Sequence, residues 1–263
     1  MITPEEHASE LYSVIRSCTL CPLAKTRLNA VPGEGPLDAE VLFIGEAPGA
    51  NEDKQGRPFV GAAGNFLTEL IEAAGMKRDE VYICNVLKCR PPGNRDPLPG
   101  EIEACNEYLD LQIDMVDPLV IVTLGRFSMS RWFPQQAISR IHGTVREFDG
   151  RSIVPMYHPA AALHQGSLRE VLLEDFRRLP AVIARARAAR DASFAESDTI
   201  MLPADPPESA ALAGAAAPEP AAEPAQPPVL AAPPAEPRAA PEPVPDRADP
   251  AVEEQPQQQR LFE

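Results

Sequence analysis

The sequence is short of aromatic residues, of positive charge and of any apolar run that would suit a bilayer. One tryptophan and four tyrosines stand among 263 residues. No stretch approaches the roughly 20 apolar residues that a membrane span needs. The start, "MITPEEHASELY", has neither the basic nor the apolar region of a secretory signal, so the chain is read as cytoplasmic. Lysine and arginine number 24 against 39 acidic residues, a formal charge of −15. That balance gives no general argument for nucleic acid as a partner, although a local basic patch inside an acidic whole stays open. From Met201 onward aromatics are absent until Phe262, while 16 of the 31 prolines and 11 acidic residues crowd in beside only 3 basic ones. Such a segment cannot bury enough apolar surface to offset its chain entropy. Residues 201–263 are therefore expected to form a disordered Pro/Ala/Glu-rich tail. Residues 1–200 are one domain's worth, enough for a sizeable core.

Within that domain Thr3-Pro4-Glu5-Glu6 reads as a helix start, with Thr3 as cap and Glu6 closing a capping box. Leu11, Val14 and Ile15 share one side of that helix, which stops near Cys18. "VLFIG" (41–45), "VYICNV" (81–86) and "LVIVTLG" (119–125) are continuous apolar runs rich in β-branched residues, as strands covered on both faces require. Helical patterns fall between them, over 65–74 and over 99–116. A hairpin is expected about Asp149-Gly150, and a last long helix from Ser167 to about Arg190 with Ser167 as its cap. This alternation predicts an α/β fold, a three-layer α/β/α sandwich around a mainly parallel central sheet. Open sheets of that kind bind ligands beyond the carboxyl ends of their strands. Glu46, Asn85 and His158 each stand at or just past a predicted strand end, so three distant polar residues should meet in one crevice.

Five cysteines in a reducing compartment point to metal or redox chemistry before disulfides. Cys18-Thr-Leu-Cys21 can hold one centre from one side of a turn, and Cys89 and Cys105 would complete a four-thiolate set. Zinc and an iron–sulfur cluster both suit four thiolates, and spacing does not separate them. Cys84 reads as an ordinary inward residue of a strand.

Six stretches together resemble one family: "CTLCPL" (18–23), "VPGEG" (31–35), "GEAPGANEDKQGRPFVG" (45–61), "NVLKCRPPGNRDP" (85–97), "IEAC" (102–105) and "YHPAAAL" (157–163). In that order, over about residues 10–185, they resemble the iron–sulfur, or type-4, uracil-DNA glycosylases. The covalently trapping branch has a basic, histidine-containing loop that is absent here, and the type-5 branch differs around the first motif. The resemblance implies a 4Fe-4S cluster on Cys18, Cys21, Cys89 and Cys105. It implies a base-excision enzyme that flips uracil out of single- or double-stranded DNA. Phe59 would be the stacking platform, held by Pro58 and by close packing at Gly61. Asn85 would read uracil, and the Gly45-Glu46-Ala47 turn would offer backbone N–H groups to its other carbonyl. His158 would stabilise the charge on uracil O2.

The water-activating group is less defined. Better-studied relatives outside this family have an aspartate where Ala47 stands, and alanine cannot act as a base. Glu46 is the nearest carboxylate and matches the family's catalytic glutamate. Glu52 and Asp53 read as solvated loop charges. Lys88, Arg90 and Arg95 are the expected DNA grip, and Leu163 the expected wedge that fills the hole left by the flipped base. The alternatives are a non-catalytic iron–sulfur DNA-binding or polymerase-associated module and a zinc-stapled nucleotide-binding protein. The domain is read as a monomer. At the far end "QQRLF" resembles the short peptides that dock on the sliding clamp, with Leu261 and Phe262 filling an apolar pocket and Gln258 orienting them. A Pro-rich tether there would raise the local concentration of the domain on DNA.

Overall fold

Residues 3–199 are described by the structure, a computed structural model, with side chains up to residue 193. The 201–263 tail and its Gln258, Leu261 and Phe262 lie outside the described residues.

The three apolar runs form strands β1 (Val41–Gly45), β2 (Tyr82–Asn85) and β3 (Val120–Leu124), and every residue of all three is buried. β4 (Arg146–Phe148) and β5 (Arg151–Met156) form the expected hairpin. Its two turn residues, Asp149 and Gly150, both have positive φ, 49° and 74°, which matches the twist of the flanking strands. The sheet order is β2-β1-β3-β5-β4, parallel except for the β4 edge. The chain leaves β1 for a neighbour on one side and later returns to the other. The switch in strand order therefore falls at the carboxyl end of β1, where a crevice must open.

The helices in chain order are α1 (Pro4–Ser17), α2 (Ala50–Gln55), α3 (Ala62–Ala73), α4 (Pro99–Val116), α5 (Arg126–Met129), α6 (Ile138–Ile141), α7 (Pro159–His164), α8 (Ser167–Arg177) and α9 (Leu179–Thr199). Strand residues alternate between two cores. Val41 and Phe43 face Phe66, Leu70, Leu172 and Phe176 of α3 and α8, whereas Leu42 and Ile44 face Leu109 and Ile113 of α4. Helices on both faces of a mainly parallel sheet are the predicted three layers.

The Thr3 capping box is present, with Thr3 Oγ1 accepting from Glu6 N and Glu6 Oε2 from Thr3 N. Leu11 and Ile15 are buried, but Val14 faces solvent. The single helix expected from Ser167 is two helices. The break falls at Arg178, two residues before Pro180, whose missing N–H and bulky ring cannot follow the carbonyl of Phe176. Gly166 occupies the cap position, and Ser167 Oγ accepts from Gln165 Nε2 instead.

Two glycines in helix first turns separate packing from propensity. A Cβ on Gly64 of α3 would sit 1.9 Å from the carbonyl oxygen of Phe59, whereas one on Gly100 of α4 would meet nothing within 4 Å. Gly64→Ala should lower the free energy of urea unfolding by about 1–3 kcal/mol through overpacking. Gly100→Ala should raise it by up to about 1 kcal/mol through reduced freedom of the unfolded chain. Equal shifts in the two variants would mean that the Gly64 approach is not a constraint.

Candidate active site

Gly45 ends β1 directly opposite Asn85, which ends β2. A Cβ on Gly45 would lie 2.3 Å from Asn85 Oδ1 and 2.6 Å from Phe59 Cζ, so these three residues meet only because position 45 has no side chain. Asn85 is 1% exposed, and its Oδ1 has no hydrogen-bond partner. Leaving such an acceptor unmet costs about 1–3 kcal/mol, a cost that a ligand donor would remove.

Phe59 is buried and has φ +50°, a left-handed conformation that a bulky residue rarely adopts. Three restraints impose it. Arg78 Nη2 donates to Pro58 O at 2.8 Å, Glu52 Oε1 accepts from Val60 N and Gly61 N, each at 2.9 Å, and the bare Gly64 lets helix α3 press against the Phe59 backbone. The expected seat at Gly61 is corrected accordingly: Gly61 faces Asn51 and Glu52, and Gly64 makes the close approach. Glu52 is no free loop charge, nor is Asp53. Asp53 is 2% exposed, and its Oδ1 accepts from Leu28 N and Asn29 N. Gly64 stands one residue before the helical pattern expected over 65–74, and the helix in fact starts at Ala62, so the sequence did not single it out. The two carboxylate straps carry no pattern of their own.

His158 follows β5 and caps α7, its Nδ1 accepting from Ala160 N at 3.1 Å. That bond fixes the tautomer, with the hydrogen on Nε2. The ring stacks on Phe59 at 5.6 Å with 26° between the planes. Burial disfavours the imidazolium and pushes the His158 pKa down to about 4, with the Glu52 charge working weakly against this. The group is a neutral N–H donor at physiological pH. Gly125, at the end of β3 with φ +91°, backs it, since a Cβ there would lie 3.1 Å from His158 Cβ.

Glu46 is the first residue beyond β1 and is half-buried. Burial raises its pKa above the usual glutamate value and Asp96 raises it further, while Arg126 opposes both. Arg126, which sequence reasoning missed, pairs with Asp96 beside it. Glu46, Ala47, Phe59, Asn85 and His158 line one cavity of about 460 Å³, with Arg95 also on its wall. The expected convergence of three strand ends is therefore observed.

Of the expected DNA contacts, Arg95 is exposed but pairs with Glu101 at 2.6 Å, and Arg90 donates to Asn94 Oδ1 at 2.7 Å. Leu163 stands 48% exposed on α7. Lys88 is corrected: it is 1% exposed, its Nζ is 2.6 Å from both Asn85 O and Gln112 Oε1, and it cannot reach a phosphate.

Cys18, Cys21, Cys89 and Cys105 come from the end of α1, the turn after it, the loop after β2 and α4, and they share one apolar cluster with Leu11, Ile15 and Leu23. N–H donors point at their sulfurs. Arg27 Nη1 donates to Cys89 Sγ at 3.0 Å, and the backbone N–H of Lys88 is directed at Cys105. Burial raises both thiols, Cys89 to about 11 even though Arg27 works to lower it. Cys84 lies apart, in the core beneath α4. Among the described residues, no three His, Cys, Asp or Glu side chains close on a single metal ion, and no helix is long and apolar enough to cross a membrane.

The family model of the uracil DNA glycosylase superfamily matches residues 32–178. The chain is 52% identical over 173 residues to the type-4 uracil-DNA glycosylase of Sulfurisphaera tokodaii, which covers 62% of this chain and 79% of that protein. The type-4 enzyme of Archaeoglobus fulgidus is 46% identical over 183 residues, 66% of this chain and 92% of that protein. That of Thermotoga maritima is 43% identical over 190 residues, 70% and 99% respectively. On the family match and these relatives, the chain belongs to the uracil-DNA glycosylase superfamily, in its type-4 branch.

Proposed function

We propose that the chain, acting as a cytoplasmic monomer, flips uracil out of single- or double-stranded DNA and hydrolyses its N-glycosidic bond, leaving an abasic site. The observation that carries this reading is the buried, unpaired Oδ1 of Asn85 in the wall of a cavity floored by Phe59. Uracil N3–H would donate to that oxygen, and the amide nitrogen would donate to uracil O4. Cytosine presents an acceptor and a donor at those positions, the reverse of both. Phe59 stacks beneath the base, contributing about 1–3 kcal/mol without selecting among bases.

As the C1′–N1 bond breaks, its electron pair passes into the uracil ring and charge collects on O2. The Nε2–H of neutral His158 is the donor for that oxygen, preorganised by its cap bond to Ala160. A neutral donor stabilises the anion without neutralising Glu46. The Glu46 carboxylate stabilises the cation-like sugar and orients the water that attacks C1′. Arg90, Arg95 and Leu163 are the groups proposed to meet the DNA backbone and the vacated stack.

Cys18, Cys21, Cys89 and Cys105 are the residues that would hold a 4Fe-4S cluster. Four thiols, two buried and two partly buried, with N–H donors directed at three of them fit one, and a multinuclear centre spreads its ligands more widely than a single ion. When bound, it supplies a tie between the Pro-rich loop and helices α1 and α4. Gln258, Leu261 and Phe262 are proposed as the sliding-clamp peptide, tested by titrating the C-terminal peptide against the clamp.

Oligonucleotides with a single uracil, incubated with the protein and then treated with alkali, should break at that uracil in both strand states. Asn85→Asp should cut the rate by about a hundredfold or more and admit cytosine, since an aspartate accepts from the cytosine amine. Wild-type rates in that variant would remove Asn85 from the pocket.

Because the folded environment raises the Glu46 pKa and activity needs the carboxylate, kcat/KM should fall on the acid side at a pH above the ordinary glutamate value of about 4.3. Glu46→Gln should lower the plateau and abolish that limb. A limb that persists unchanged in Glu46→Gln assigns the titration to another group.

Cys89→Ser and Cys105→Ser should lose iron and soluble yield together, whereas Cys84→Ala should keep its iron. Iron content measured on the purified variants decides the assignment, and the opposite pattern would overturn it.

A further inference from the structure

Lys88 is a fully buried amine for which the excision chemistry has no use. Its Nζ donates to the main-chain oxygen of Asn85 at 2.6 Å and to Gln112 Oε1 at 2.6 Å. Gln112 is itself fully buried and is locked from its other end, with Nε2 donating to Pro32 O at 2.7 Å and to the Tyr82 hydroxyl at 3.0 Å. The Asn85 carbonyl is the last of β2. Just past it, Val86 N and Leu87 N bond to Gly45 O and Glu46 O, each at 3.0 Å, so the chain on both sides of the crevice is fixed here. The backbone N–H of the same Lys88 is directed at Cys105. One residue thus touches the strand end that presents the base-reading amide and the cysteine cluster behind it.

We infer that Lys88 is a positioning residue: its side-chain nitrogen, held between the Asn85 carbonyl and Gln112, fixes the direction of the Asn85 amide beside the cysteine centre. The inference rests on the uracil reading above. Misplacing a recognition group by about 1 Å can cost about a hundredfold in rate.

The test uses the full-length protein, with Lys88→Met and Gln112→Leu, on uracil-containing duplex. Single-turnover rate, KM, iron per chain and the salt dependence of DNA binding are measured for each. In Lys88→Met the rate should fall by about tenfold to a hundredfold with KM little changed, because the amide is misdirected and the DNA grip is intact. Iron per chain should stay at the wild-type value, since the backbone N–H to Cys105 is retained. Gln112→Leu should show the same split to a smaller degree. A wild-type rate in soluble Lys88→Met overturns the inference. So does a salt slope shallower by about one, which would make Lys88 a phosphate contact. Loss of iron in step with the rate overturns it too, in favour of support for the cluster alone. Should Lys88→Met yield no soluble protein, Gln112→Leu carries the test, and a wild-type rate there refutes the inference. A wild-type protein that leaves uracil intact refutes the uracil reading itself, a result distinguishable from all of these.

Discussion

The site depends on one missing side chain. At the end of β1 the chain must turn while Asn85 and Phe59 converge on the same few ångströms, and only a glycine leaves that space open. Any Cβ at position 45 would strike the Asn85 amide and the Phe59 ring at once. The strand-order switch at β1 opens a crevice on topological grounds alone. Gly45 turns that crevice into a slot with an aromatic floor and an amide at its side. The remaining devices serve the same slot from behind: Gly64 lets α3 approach Phe59, and Gly125 lets β3 approach His158.

Holding Phe59 at positive φ costs about 1–3 kcal/mol, so its neighbours must over-determine it. Arg78 on its left flank and Glu52 on its right do so through backbone groups rather than through the ring. The ring itself is left lining the cavity, stacked on His158. The same burial that makes the slot dry separates its two titratable groups by function. His158 is pushed down to a pKa of about 4, so near pH 7 it is a neutral donor with no extra proton to pass to Glu46, whose own pKa burial and Asp96 raise.

Much of this was legible in the sequence where the signal is periodic or steric. β1 and α4 match their expected bounds, because a continuous apolar run and a Pro-started helix are local facts. The α8–α9 break was missed although Pro180 announces it, since apolar periodicity carries on across the break. Glu46, Asn85 and His158 were placed in one crevice from their positions at strand ends, and Phe59 beside them from the family resemblance. What the sequence could not show is which charged residues face inward. Lys88 sits in a basic loop with Arg90 and Arg95 and reads as a DNA contact, yet its three-residue spacing from Asn85 folds it back into the core. Glu52 and Asp53 look like neighbours on a solvated turn, but they are straps for two different segments. Burial of a charge depends on partners far away in the chain, and no local pattern encodes it.

The charge distribution follows the same logic at the rim. The full chain has a charge of −15, so nothing about it as a whole attracts a polyanion. Three arginines near the slot are paired within the chain: Arg95 with Glu101, Arg126 with Asp96, Arg90 with Asn94. Arg126 and Asp96 are both largely exposed, and pairs of that kind contribute about 0–1 kcal/mol each. Arg95 is different, because Glu101 is buried and also accepts from the Leu98 N–H, so breaking that pair would strand a carboxylate inside the helix start. Arg95 is best retained as the brace of the Pro-rich loop, presenting only its unused N–H groups outward. Arg126 is then the more weakly held of the two arginines, and its partner Asp96 acts on the Glu46 carboxylate by raising its pKa.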